Sequence, residues 1–63
     1  MDFATVSDYK NQKIIEQFLS EDEKTLHVIT RHNGTGKYIL YKNGIQIATS
    51  NEQYKIKEKL PDK

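Results

Sequence analysis

Gly34-Thr35-Gly36-Lys37 puts two glycines and a lysine where a turn could offer backbone amides to a phosphate. A phosphate-binding loop of that type also needs a glycine five residues before the Gly-Lys pair, Ser or Thr after the lysine, and a helix beyond. Here Arg31 holds the first position, Tyr38 follows the lysine, and the next residues read as a strand. The segment is therefore read as a turn.

The other reactive side chains fall into place in the same way. His27 and His32 are five apart, an odd separation that sends them to opposite faces of one strand, so they do not converge on a metal. Ser7, Ser20 and Ser50 stand where helix caps are expected, with no base beside them to activate a nucleophile. Glu21-Asp22-Glu23 are adjacent acids pointing in different directions, without the glycine-turned ligand series of a calcium loop. No carboxylate pair lies in an apolar setting that would split its pKa values. No enzyme activity, cofactor or metal is expected.

The chain has 63 residues, no cysteine, and ten basic against nine acidic residues. That bounds it to one small domain, 1–63, without disulfide or thiolate-zinc staples. Unstapled domains of this size rely on very regular packing or on self-association. Its apolar content and low net charge place it among folded chains rather than disordered ones. Residues 1–32 carry four basic and six acidic side chains, and residues 33–63 carry six and three. That polarity is mild for a nucleic-acid binder. The opening Met1–Thr5 lacks a secretory pattern and no apolar run is long enough to span a bilayer, so a cytoplasmic protein is expected.

The elements follow from periodicity. Ile14, Ile15, Phe18 and Leu19 make a single stripe on a helix, with Ser7 as its cap and Asp8 at its positive end, which predicts a helix over about 7–19. The acids at 21–23 then form a loop. Three runs rich in β-branched and aromatic residues predict strands over about 25–32, 37–42 and 45–49. Asn43-Gly44 is a two-residue hairpin turn whose central positions both need positive φ. Ser50 with Gln53 predicts a second cap and a helix over about 51–60, ended by Pro61. The expected fold is α+β, in the order α-β-β-β-α, with a three-stranded antiparallel meander and flanking helices.

The Asn43-Gly44 turn pairs Lys42 with Ile45, Tyr41 with Gln46, Leu40 with Ile47 and Ile39 with Ala48. An odd-length loop at Asn33–Gly36 would gather Leu26, Val28, Leu40, Ile45 and Ile47 on one face, beneath the stripe of the first helix. Ile29, Ile39, Tyr41 and Ala48 then share the other face, flanked by His27 and Arg31. A sheet with one covered face alternates apolar and polar residues, whereas the second strand is apolar on both sides. Either the two helices divide between the faces, or both cover one and the other is a contact surface.

The order α-β-β-β-α is similar to that of the double-stranded-RNA-binding domain. That family carries a lysine cluster at the start of its last helix, where this chain reads Ser50-Asn51-Glu52-Gln53-Tyr54. The likeness is one of element order alone and assigns no family. The size and the abundance of Lys, Asn, Ile and Tyr resemble small accessory proteins of phages and mobile elements.

The expected function is a non-enzymatic protein-binding module, an inhibitor or regulator of a larger protein, acting as a homodimer through Ile29, Arg31, Ile39, Tyr41 and Ala48, with the tyrosine as anchor. The alternative is nucleic-acid binding through Arg31, Lys37, Lys42, Lys55 and Lys59, which would weaken steeply with salt.

Overall fold

In the computed structural model, residues 3–5 and 9–60 are described. They form four strands, β1 (Gln12–Leu19), β2 (Leu26–His32), β3 (Tyr38–Lys42) and β4 (Ile45–Ser50), followed by one short helix, α1 (Gln53–Lys57). The strands make a single antiparallel meander in the order β1-β2-β3-β4. Ser7, Asp8 and Pro61, which the sequence assigned to helix ends, lie outside the described residues.

The expected α-β-β-β-α order is thus corrected. Residues 12–19 are a strand, not the body of a helix over 7–19, and the sheet has four strands rather than three. Asn11 takes φ 61°, a left-handed turn that interrupts any helix running through it, and its carbonyl accepts the Asn33 amide at 2.9 Å. A bulge explains the misleading stripe. Ile14 pairs with Thr30 and Glu16 with Ile29, leaving Ile15 as the extra residue. The slip sends Ile14 and Leu19 to one face of the sheet, while Phe18 goes to the other and Ile15 packs against that second face's core. Apolar residues at 14, 15, 18 and 19 therefore supply two faces of a bulged strand, a pattern that a 3.6-residue period also satisfies.

Pairing across the sheet sorts one face into three rows. The first is Phe18, His27, Lys42 and Ile45; the second is Glu16, Ile29, Leu40 and Ala48; the third is Lys13, Arg31, Tyr38 and Ser50. Helix α1 lies over the second row, where Ile56 meets Ile29 and Leu40, all three at most 1% exposed. Ile15, Tyr38, Ala48 and Leu60 close around them. Glu16 fastens the helix from below, accepting Lys57 Nζ at 2.9 Å and Gln53 Nε2 at 3.1 Å. The helix is shorter than the expected 51–60, and its N-cap is Glu52, without a side-chain cap bond. Ser50 Oγ instead accepts the Glu52 amide.

The opposite face holds Leu26, Val28 and Thr30, all buried, with Ile39 and Tyr41 half-buried beside them. No helix covers it. The N-terminal segment does: Gln17 takes the Ala4 amide on Oε1 at 2.7 Å and donates Nε2 to the Ala4 carbonyl at 2.9 Å. Tyr9 stacks against Tyr41. Beneath them, Gln12 Oε1 accepts both the Thr30 hydroxyl at 2.7 Å and the Tyr41 hydroxyl at 2.8 Å, which satisfies two polar groups inside an otherwise apolar layer.

Two registers differ from expectation. Asn43 and Gly44 both have positive φ and set Lys42 against Ile45 and Tyr41 against Gln46. Past that point β4 bulges at Ile47, so Leu40 faces Ala48 and Ile39 faces Thr49. This places the small alanine in the row beneath α1, where a helix needs close approach. Between β2 and β3 the loop is even, not odd, pairing Ile29 with Leu40 and Val28 with Tyr41. His32 closes it, accepting the Gly34 and Thr35 amides on Nδ1, while Gly36 turns the chain at φ +74°.

Candidate partner-binding surface

The five residues expected to form one contact surface are divided by the structure. Ile39 and Tyr41 sit on the face lined by the N-terminal segment. Ile29, Arg31 and Ala48 sit on the helix face, where Ile29 is fully buried beneath α1 and Ala48 packs against the same core. Arg31 alone of these three is exposed, its guanidinium carbon 5.7 Å from the centroid of the Tyr38 ring.

The five basic residues of the nucleic-acid alternative are also dispersed. Arg31 and Lys37 flank the β2–β3 loop, whereas Lys42 is at the far end of β3. Lys55 and Lys59 lie on and just after α1, and Lys55 is 3.8 Å from Glu52. Lys13, which the sequence reading passed over, stands directly opposite Arg31 across β1–β2. That juxtaposition was hidden because residues 12–19 read as helical.

A different surface emerges from the first row of the helix face. The five residues of α1 reach the second row and leave Phe18, Lys42 and Ile45 uncovered. Phe18 is 41% exposed and Ile45 68% exposed, and Ile47 next to it on β4 is 48% exposed. Between the two apolar ends, His27 is buried and Lys42 is exposed. Burial holds the His27 imidazole below its ordinary value, and the nearby Lys42 charge adds to that effect. At neutral pH the row is thus an uncharged ring beside one cation, flanked by apolar side chains.

The β1–β2 turn adjoins this row. Ser20 organises it, accepting the Thr25 amide on Oγ at 3.1 Å and donating its hydroxyl to Asp22, which also accepts the Lys24 amide. The Ser20 hydroxyl bond, followed by the Lys24 amide, holds the Asp22 carboxyl below its usual value. Asp22 is thereby held in place, and with the exposed Glu21 and Glu23 it makes an acidic corner at the same end of the sheet as Lys42.

His27 and His32 fall on opposite faces of β2, and among the described residues no three His, Cys, Asp or Glu side chains come together as metal ligands. Also among them, no helix is long and apolar enough to cross a membrane. No protein-family model, curated protein or solved structure matches the chain.

Proposed function

We propose that the protein is a non-enzymatic protein-binding module that associates with a second copy of itself through the row Phe18–His27–Lys42–Ile45. The single observation that carries this reading is the pair of uncovered apolar side chains, a phenylalanine at one end of the row and an isoleucine at the other, on the face where α1 stops short. Four points support a second copy as the occupant. A two-fold axis through the middle of the row sets Phe18 against Ile45 of the partner and Ile45 against the partner's Phe18, so each apolar end meets an apolar end. The same operation brings Lys42 towards the partner's acidic 21–23 corner, which matches opposite charges. Among the described residues Lys42 makes no ion pair. Among the described residues the buried apolar core is Leu26, Val28, Ile29, Leu40 and Ile56, so additional burial adds appreciably to so small a domain.

The test is solution mass by light scattering across a concentration series, for the parent protein and for Ile45→Asp. The parent is expected as a concentration-dependent dimer and the variant as a folded monomer, because Ile45 is exposed within each subunit. A parent that stays monomeric at the highest concentration, or a variant that dimerises equally well, overturns the proposal.

A further inference from the structure

We infer that the third row of the helix face is a binding site for a phosphate-type oxyanion, held between Lys13 and Arg31. These two cations are direct partners across the antiparallel β1–β2 pair. Like charges directly opposite each other cost stability unless something between them carries the opposite sign. Among the described residues the ion pairs are Lys55–Glu52 and Lys57–Glu16, so no carboxylate of the described chain neutralises either Lys13 or Arg31.

The guanidinium is oriented in advance. Its Nε–H donates to the Gly36 carbonyl at 3.3 Å, and its carbon lies over the Tyr38 ring. With Nε engaged, the two Nη groups remain as a fork, the geometry that suits two oxygens of one phosphate. Gly36 lies close beneath: a Cβ built there would come within 3.5 Å of Arg31 Nη2. His32 steadies the adjoining turn, its Nδ1 accepting the Gly34 and Thr35 amides. Lys13, Arg31, His32, Asn33 and Gly36 together line a cleft of about 240 Å³ that contains no acid.

This site is at the end of the sheet away from the dimer row, so its occupancy does not depend on self-association. The oxyanion has two sources consistent with the donor set: a nucleic-acid backbone, or inorganic phosphate and small phosphorylated molecules.

The experiment is a magnetic-resonance titration of isotope-labelled protein with sodium phosphate, against sodium chloride at matched ionic strength. The expected result is saturable movement of the Lys13, Arg31, Gly34, Thr35 and Gly36 amides with phosphate only. Lys13→Gln should weaken that response about tenfold or more, the loss expected for one charge-assisted bond. In phosphate-free buffer the same variant should be at least as stable as the parent, since it relieves the cross-strand repulsion. A second arm repeats the titration with a short oligonucleotide. Tighter binding, with a salt slope that falls by about 0.9 for Lys13→Gln, identifies a nucleic-acid backbone as the source. Affinity no better than for free phosphate identifies a small phosphorylated ligand. Identical responses to phosphate and chloride, or an unchanged response in Lys13→Gln, overturn the inference.

Discussion

The Tyr9 ring lies against that of Tyr41, with centroids 4.7 Å apart and planes tilted by 47°. Through this contact the chain preceding the sheet becomes part of the layer that covers Val28 and Thr30. The Tyr41 hydroxyl continues inward to Gln12 Oε1, which is shared with Thr30. Tyr41 is in this way a link within one subunit, between an N-terminal ring above and a half-buried glutamine below.

Tyr9→Ala should lower stability by about 0.5–1.5 kcal/mol for the lost ring pair, and Tyr41→Phe by about 1 kcal/mol for the hydrogen bond to Gln12. Urea unfolding of both variants checks the magnitudes. Hydrogen exchange adds a spatial readout: Tyr9→Ala should speed exchange at Ala4, whose amide is held by Gln17 on the same face. An unchanged Ala4 would show that the segment is secured without the ring contact.

Ile56 is the one helix side chain sealed in the core, 1% exposed between Ile29 and Leu40. Truncation to alanine should cost about 2–5 kcal/mol. A domain of this length has a total of only about 3–9 kcal/mol to lose. Ile56→Ala should therefore lose a large share of its stability, while Ile56→Val, at about 1 kcal/mol, should keep a melting midpoint between that variant's and the parent's. Circular dichroism on the pair gives the measurement, and equal midpoints would contradict the assigned core.

The His27 environment sets a direction for pH dependence. Its folded pKa lies below the ordinary 6.5, through burial first and the Lys42 charge second. As pH falls below about 6.5 the unfolded chain takes up a proton before the folded one does. The contribution of His27 to stability is thus whole above 6.5 and declines as pH drops towards the folded value. Lys42→Gln removes the second cause and should raise the titration midpoint of the His27 ring, followed by proton resonance. A midpoint that stays put or falls would show that Lys42 does not act on the ring.

Asn43-Gly44 was legible in the sequence because its constraint is local: two consecutive positive φ angles admit few residue pairs. Asn43 also receives the Leu26 amide on its side chain, a second use that depends on where β2 lies and leaves no trace in the dipeptide. Residues 14–19 were misread because a bulge inserts one residue into a period of two, and the shifted alternation imitates a helical stripe. The greasy second side of β3 was read correctly as apolar and wrongly as one surface with Ala48. The bulge at Ile47 moved that alanine to the other face, and no turn rule places a bulge so far from the turn. Lys13 became visible as a partner of Arg31 only once residues 12–19 were a strand. The uncovered row at Phe18 and Ile45 depended on where a five-residue helix ends, which capping patterns misplaced by several residues.

Both outer strands of the meander, β1 at Ile15 and β4 at Ile47, are kinked by an inserted residue. A straight border offers a ladder of donors and acceptors that successive molecules can copy without end, the route to fibres. A kink on each flank shortens that ladder to a few residues and turns it out of line. Growth by lateral stacking is therefore opposed on both sides, and the molecule can display greasy side chains on one face while resisting open-ended polymerisation.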